Sequence, residues 1–181
     1  MLNEEQLVKK CLNREKGATD ELYQRYASKM FGVCLRYARS SMEAEDLLQE
    51  GFIKVFTNLS TFRCDGSLEG WVRRIIVNNS INHYRQKSPW FEDVETSRDA
   101  NKETAEYDIL SALSADELLS MIQQLPEGYR MVFNLYVIEG YLHKEIAEIL
   151  NISEHTSKSQ LLKARKALQE KLKNVMYEQA V

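Results

Sequence analysis

The stretch HKEIAEILNISEHTSKSQLLKARK, residues 143–166, decides the fold of the C-terminal part of this chain. Apolar residues recur at helical spacing before and after a short break at residues 151–153. Asn151 suits the left-handed backbone of a tight turn, because asparagine tolerates this conformation better than most residues. Ser153 is placed to cap the second helix, with Glu154 in its first turn. The pattern predicts a helix-turn-helix, a motif whose second helix enters the major groove of DNA.

The second helix of this motif has a predicted core stripe and an opposite polar face. Ser157, Leu161 and Ala164 begin the stripe, while the polar face has hydroxyl and amide groups at its centre and cations at its edges. That distribution suits the reading of base edges between phosphates. Between His155 and Lys173 there are six Lys or Arg residues and one acid, although a solvated basic helix in a bundle would show the same charge. The residues that we predict to contact DNA are His155, Thr156, Lys158, Ser159, Gln160, Lys163, Arg165 and Lys166.

Helical periodicity continues through most of the chain, and few windows alternate in the manner of a strand. Residues 88–115 differ, because they are acidic, weakly periodic and poor in aliphatic side chains. From Ser88 to Glu117, nine acidic residues against two basic ones give a charge of −7, so the rest of the chain contributes +4 to the total of −3. We therefore predict an all-α protein with two small helical domains, residues 1–87 and 116–181, joined by an acidic flexible linker, residues 88–115.

The composition gives little support to a catalytic or metal-binding role. The three cysteines lie far apart, the three histidines have no ligand-like partners, and no glycine-rich phosphate loop occurs. We therefore expect no catalytic residues, no metal and no cofactor. The apolar runs are shorter than the ~18 residues of a membrane-spanning helix, and the acidic start lacks the pattern of a signal peptide. These features predict a cytoplasmic protein without membrane insertion.

One helix of the N-terminal domain has an acidic outer face. It begins at a predicted capping box, Ser40 and Glu43, and the face lies opposite its apolar stripe. An exposed isoleucine among acids suggests a protein partner, although a solvated face would look similar. The face consists of Asp46, Gln49, Glu50 and Ile53.

The next helix begins after Ser67, and we expect it to bury Asn79 while a cationic face points outward. Cations, amides and an aromatic ring on one surface suit a nucleic acid, including an unstacked single strand. For Asn78 a buried amide is the alternative. We predict that Arg74, Asn78, Ile81 and Arg85 line this face, with Arg73, Tyr84 and Lys87 around it.

Two sets of motifs resemble the sigma-70 family of bacterial sigma factors. AEDLLQEGFIKVF, residues 44–56, resembles region 2 of the family, and GWVRRIIVNNSINHYRQK, residues 70–87, resembles its promoter-melting helix. LPEGYRMVF, residues 125–133, followed by the helix-turn-helix, resembles region 4. The length and the lack of a domain between these regions match the extracytoplasmic-function (ECF) subgroup. Ser157 departs from the family pattern, which commonly has a valine there, so we expect a weaker core contact at this position.

The resemblance implies a function and a set of partners. The chain would bind core RNA polymerase and direct promoter recognition, DNA melting and transcription initiation. The acidic face would dock on the clamp helices of the β′ subunit, and the helix before the helix-turn-helix would help to grip the β flap. The second helix of that motif would read the −35 element of promoter DNA, and an anti-sigma factor is a further expected partner. The 58–67 loop would hold the −10 element, with one base flipped out, together with Arg73, Arg74, Asn78, Arg85 and Lys87.

Three other functions compete with this interpretation. A helix-turn-helix regulator that binds duplex DNA without polymerase would explain residues 116–175, but it leaves the stretches 44–56 and 70–87 without a role. An enzyme would need a pocket and a constellation of reactive groups that the sequence does not indicate. A purely structural helical adaptor would show no affinity for DNA at low salt.

Overall fold

The computed structural model describes residues 2–87 and 114–179, and the chain divides into two compact units, Met1–Lys87 and Ser88–Val181. Within the described ranges every regular element is helical, which confirms the predicted all-α class. The predicted linker lies outside the described residues except for its last two positions, with which α5 begins. The first unit contains α1 (Glu4–Leu12), α2 (Ala18–Tyr37), α3 (Ser41–Asn58), a 3₁₀ turn (Leu59–Thr61) and α4 (Leu68–Lys87). The second contains α5 (Ala115–Gln123), α6 (Glu127–Phe133), a π-helical turn (Asn134–Ile138), α7 (His143–Leu150) and α8 (Glu154–Gln179).

The core of the first unit lies between α2, α3 and α4, which contact one another, while α1 packs on α2. The apolar stripes that the periodicity predicts supply this core. Full burial of each large aliphatic or aromatic side chain contributes about 1.5–3 kcal/mol. Among the most deeply buried are Leu22, Met30, Leu47, Phe52 and Ile76.

Asn79 is buried at the contact between α3 and α4, as its place in the sequence pattern predicts. Its amide nitrogen donates to the Leu47 carbonyl of α3 at 3.1 Å, and its Oδ1 accepts from the Lys54 ammonium. Leaving this buried amide unsatisfied would cost about 1–3 kcal/mol. The two bonds therefore fix the register of α4 on α3.

The two helices also approach closely at Gly51. A β-carbon added to Gly51 would overlap Ile76 Cδ1 of α4. Ile76 is itself fully buried, and a packed interior leaves its side chain little room to move. A side chain at position 51 would therefore have to displace the Ile76 side chain from its packed position.

The second unit is built around α8, against which α5, α6 and α7 pack. Its core includes Met131, Leu135, Ile146, Leu150 and Leu161. Of the helices described in both units, none is long and apolar enough to cross a membrane.

Arg130 of α6 is buried in this unit, which the sequence pattern does not indicate. Its Nη1 donates to the carbonyl oxygens of Gln123 at 2.9 Å and Leu125 at 3.2 Å, where α5 ends. The last carbonyls of a helix have no partner within the helix and form its negative end, so a cation is favourable there. Arg130 thereby joins the end of α5 to α6.

The turn between α7 and α8 has the predicted conformation. Asn151 is left-handed, with φ 55° and ψ 49°. The Ile152 N–H donates to the Ala147 carbonyl at 3.0 Å, which closes the end of α7. Ser153 Oγ accepts from the Thr156 N–H at 2.9 Å and so caps α8. The helix-turn-helix prediction is confirmed at this turn.

We predict that Gly51→Ala destabilises the chain by about 1–3 kcal/mol relative to Gly32→Ala, because the new methyl group forces Ile76 out of its packed position. Gly32 lies inside α2, where an added β-carbon meets nothing within 4 Å. Alanine there should add roughly 0.5–1 kcal/mol through its better helix propensity. Urea unfolding followed by far-UV circular dichroism measures both variants. Equal midpoints would show that the contact between α3 and α4 tolerates a methyl group.

Candidate nucleic-acid interface

The N-terminal half of α8 carries the side chains that the sequence predicts to contact DNA. Four of them are exposed, namely His155, Lys158, Arg165 and Lys166. Four are half-buried, namely Thr156, Ser159, Gln160 and Lys163. Lys158 also pairs with Glu154 one turn earlier, at 2.6 Å between Nζ and Oε1, and this bond lowers the pKa of the Glu154 carboxyl. Part of the local positive charge is therefore neutralised within the helix.

Three polar groups of this surface already have contacts within the protein. The Thr156 and Ser153 hydroxyl oxygens are 2.7 Å apart, and the Ser159 hydroxyl donates to the Thr156 carbonyl at 3.0 Å. The Gln160 amide lies against α6, where a β-carbon on Gly128 would be 3.0 Å from its Oε1. Because Gly128 has no side chain, Gln160 fills the space beside it. Gln160 is thus turned inward rather than outward at the edge of the polar face, and it would have to rotate to reach a base.

Ser157 is fully buried and takes part in a polar contact between α8 and α7. His143 Nδ1 lies 2.9 Å from Ser157 Oγ, and the His143 ring stacks on Tyr136 with centroids 4.4 Å apart. At this position, where we expect a weaker core contact, a hydrogen bond takes the place of the aliphatic packing that a valine would provide. Burial lowers the pKa of the His143 imidazole, and the nearby Lys158 lowers it further.

The outward face of α4 is narrower than the sequence pattern predicts. Ile81 and Tyr84 are each 4% exposed, so their prediction as surface residues is wrong. The reason is that α4 packs against α2 as well as α3 and therefore buries more than one stripe. Arg73 is half-buried, and the exposed members of the face are Arg74, Asn78, Arg85 and Lys87.

A cleft of about 510 Å³ opens beside the first turns of α4. The rings of Phe62 and Trp71 meet in it with centroids 5.5 Å apart, tilted by 54°. The Ser67 hydroxyl accepts from the Gly70 N–H at 3.1 Å, so Ser67 begins α4 as predicted. The volume falls within the range of small-molecule sites, about 300–1,000 Å³. The cleft is lined by Thr61, Phe62, Arg63, Asp65, Gly66, Ser67, Gly70, Trp71 and Arg74.

Glu4 of α1 holds the start of α4 next to this cleft. Its Oε2 accepts from the Leu68 N–H at 2.8 Å, and its Oε1 accepts from the Tyr26 hydroxyl at 2.9 Å. Burial, followed by the bond to Glu4, raises the pKa of Tyr26 to about 12, so this hydroxyl remains a donor at neutral pH. The first residue of α4 is therefore tied to both α1 and α2, although 64 positions separate Glu4 from Leu68.

At the other end of α4, Lys87 forms an ion pair that the sequence pattern does not indicate. Its Nζ is 2.6 Å from Glu43 Oε1 at the start of α3. The predicted capping box is formed on one side only, because Ser40 Oγ accepts from the Glu43 N–H while the Glu43 carboxylate accepts from the Arg39 N–H. Burial raises the pKa of the Glu43 carboxyl, but the bonds from Lys87 and the Arg39 N–H outweigh it and bring the pKa down to about 2. Lys87 is thus exposed but already bound to a carboxylate.

The acidic face of α3 points to solvent as the sequence predicts. Asp46, Gln49 and Glu50 are exposed, and Ile53 is 66% exposed. Met42 lies one turn before Asp46 and is 75% exposed, so it extends the apolar part of this face. Its spacing of four residues from Asp46 is the signal that would have included it.

A helix-turn-helix unit and a second helical unit with a cationic face define a two-unit DNA-binding protein. Family models match both units: Sigma-70 region 2 at residues 22–89, and Sigma-70, region 4 at residues 115–168. The chain is 33% identical over 187 residues to the RNA polymerase sigma-H factor of Pseudomonas aeruginosa, with 97% of this chain and 96% of the relative covered. It is 31% identical over 191 residues to the ECF RNA polymerase sigma factor SigW of Bacillus subtilis, with 94% of this chain and 100% of the relative covered. The chain therefore belongs to the sigma-70 family, in its ECF subgroup.

A solved structure has a similar fold. It is the sigma factor RpoE in complex with the anti-sigma factor NepR from Bartonella quintana, with 21% sequence identity and a TM-score of 0.50. The match covers 87% of this chain and 98% of that chain. This match shows that the two chains have a similar fold.

We predict that the chain loses stability as the pH falls from about 7.5 to about 5.5, and that His143→Gln removes part of this loss. In the folded state the pKa of His143 is lowered, whereas a histidine in the unfolded chain has a pKa of about 6.5. As the pH falls through that value, the unfolded state therefore takes up more protons than the folded state. The His143 contribution is therefore present above about pH 6.5 and is lost as the pH falls through and below it. Thermal unfolding at the two pH values measures the effect.

The matched control is His155→Gln, which changes an exposed histidine near the start of α8. This control should keep the wild-type difference in melting temperature between the two pH values. An unchanged pH dependence in His143→Gln would show that the contact with Ser157 is not linked to protonation.

Proposed function

We propose that this chain is a transcription initiation factor that binds core RNA polymerase, carries it to promoter DNA and assists melting, without catalysing a reaction itself. Its action would take place in the cytoplasm, where bacterial polymerase meets DNA. The observation that carries the proposal is the cleft of about 510 Å³ beside a cationic helix in the first unit. A duplex reader alone has no need of such a cleft, whereas melting requires a place for an unpaired base.

The cleft has the chemistry that an extruded base needs. Phe62 and Trp71 offer aromatic surface, and stacking of a base on an aromatic ring is worth about 1–3 kcal/mol. Arg74 lines the cleft and is exposed, so it can meet the phosphate next to the base. Extrusion costs a few kcal/mol, which stacking and phosphate contacts offset. We assign the non-template strand of the −10 element to this surface, with Arg73, Arg74, Asn78 and Arg85 along it.

We assign the −35 element to α8. Its exposed cations flank the hydroxyl groups of Thr156 and Ser159, and phosphate contacts at the edges fix the register in which base edges are read. Gln160 contributes only after its amide leaves Gly128. His155, Arg165 and Lys166 are exposed at the surface, and Lys158 is exposed but would first have to leave Glu154.

We assign the polymerase to two other surfaces. The acidic face of α3, with Met42 and Ile53 as its apolar contacts, suits a basic helical partner such as the β′ clamp helices. Val137 of the π-helical turn is 49% exposed and suits the β flap. An anti-sigma factor would act by covering these surfaces, and we propose one as a partner.

In vitro transcription with core polymerase and a pool of promoter fragments tests the proposal. Discrete start sites that require the chain would support it and would give the −10 and −35 sequences together. Absence of binding to core polymerase would favour a duplex-binding regulator, a reading that gives no role to the acidic face or the cleft.

Charge reversals on the two faces should separate binding to core polymerase from binding to the −35 element. Glu50→Lys should weaken binding to core polymerase by about tenfold or more, which is about 1.4 kcal/mol. The fraction of this variant that is still bound to polymerase should bind the −35 duplex as the wild type does. Lys163→Glu should cost about 1–3 kcal/mol of −35 binding and spare polymerase binding. Fluorescence anisotropy with labelled core polymerase and labelled −35 duplex measures both. Loss of the same property in both variants would contradict the assignment of faces.

Arg74→Gln tests the −10 surface. It should weaken binding of a −10 single strand by the assembled enzyme and lower the slope of log affinity against log salt by about 0.7, the share of one phosphate contact with a single strand. Lys16→Gln, an exposed cation in the turn between α1 and α2, is the control and should keep the wild-type slope. Equal slopes for all three proteins would remove Arg74 from the strand-binding surface.

A further inference from the structure

The carboxylate of Glu43 joins the start of α3 to the end of α4. Its Oε1 accepts from Lys87 Nζ at 2.6 Å and lies 3.3 Å from His83 Nε2, while its Oε2 accepts from the Arg39 N–H at 2.7 Å. The Glu43 side chain is only 15% exposed, against 52% for Lys87. A partly buried pair is screened by salt less than an open surface pair.

Lys87 differs in this respect from the other exposed cations of α4. Among the described residues neither Arg74 nor Arg85 forms an ion pair, and both side chains are exposed. Lys87, the last residue of α4, points its ammonium at the carboxylate instead. The sequence pattern counts Lys87 with the strand-binding cations, but its charge is neutralised by a residue 44 positions away.

We propose that Glu43 is a positioning residue that withholds Lys87 from DNA in the free chain, so that α4 offers one phosphate contact fewer than its sequence suggests. This inference rests on the proposed function, because it concerns the same strand-binding surface. It adds a residue of α3 that limits the affinity of α4 for nucleic acid.

Two effects act in the same direction. Moving the Lys87 ammonium to a phosphate would leave the Glu43 carboxylate, already partly buried, without its closest cation, and an uncompensated buried charge is costly. The carboxylate would also repel the approaching phosphate. The Arg39 N–H and His83 would then remain as its neighbours. Removing the charge of Glu43 while keeping its shape removes both effects.

A double-mutant cycle on the full-length free chain tests this. The measured quantity is the slope of log affinity against log salt for a fluorescent single-stranded DNA of mixed sequence, between about 50 and 200 mM salt. Lys87→Gln alone should leave the wild-type slope unchanged, because Lys87 makes no phosphate contact. Glu43→Gln should steepen the slope by about 0.7, the value of one added phosphate contact with a single strand. Lys87→Gln in the Glu43→Gln background should return it to the wild-type value.

Glu45→Gln is the matched control, because it removes an equal charge from an exposed position of α3 two residues away. It should leave the slope unchanged. A steeper slope in both Glu43→Gln and Glu45→Gln would mean that net charge alone acts, and would overturn the proposal. A slope that falls by about 0.7 in Lys87→Gln alone would overturn it as well, since Lys87 would then already contact DNA.

The acylation rate of Lys87, followed by mass spectrometry with an amine-reactive ester, gives a readout that does not need DNA. Glu43→Gln should raise this rate several-fold over wild type, and Glu45→Gln should not. A raised rate together with no strand affinity in any variant at low salt would contradict the strand-binding surface, and with it the proposed function. A raised rate together with strand affinity but an unchanged slope would overturn the role of Glu43 alone.

Discussion

The contact between α3 and α4 is the constraint on which the first unit depends. Gly51 lets α3 approach Ile76, and the Asn79 amide is satisfied by the Leu47 carbonyl and the Lys54 ammonium. An added methyl group or an unsatisfied amide would each cost on the order of 1–3 kcal/mol, so the two helices hold one register. The acidic face of α3 and the cationic face of α4 are then fixed relative to each other. A partner bound to α3 and a nucleic-acid strand bound to α4 would therefore share one rigid support.

The second unit uses buried polar contacts for the same purpose. Arg130 binds the carbonyls at the end of α5, and His143 holds Ser157 of α8 from the start of α7. Satisfied polar contacts in a small core favour one arrangement over others, because every alternative leaves a buried group without a partner. The position of α8, and with it the surface offered to the major groove, follows from these contacts as much as from aliphatic packing.

Contacts between residues near in sequence could be predicted, and contacts across the fold could not. Asn151 and Ser153 predict the turn between α7 and α8, because backbone geometry and capping act over three or four residues. Ile81 and Tyr84 were misplaced because helical periodicity assumes one buried face, whereas α4 meets two helices. Gln160 was placed outward because nothing near it in the sequence shows that Gly128 leaves a space. The Glu43–Lys87 pair and the Glu4–Leu68 bond join positions 44 and 64 residues apart, a distance at which no local pattern operates.

The distribution of charge in this chain favours specific over non-specific binding of DNA, at the expense of overall affinity. Affinity of a protein for any DNA comes mainly from its cations, so every cation paired internally lowers non-specific binding first. Lys87 is paired with Glu43 and Lys158 with Glu154, and the stretch from Ser88 to Glu117 adds −7 to a chain whose remainder carries +4. Specific binding would depend also on base edges and on an extruded base, and neither of these contacts requires a charge on Lys87 or Lys158. Because a genome offers a vast excess of competing sites, the ratio of specific to non-specific affinity matters more than either value. A net charge of −3 is thus consistent with DNA binding, because fewer free cations weaken non-specific binding more than binding that also uses base contacts.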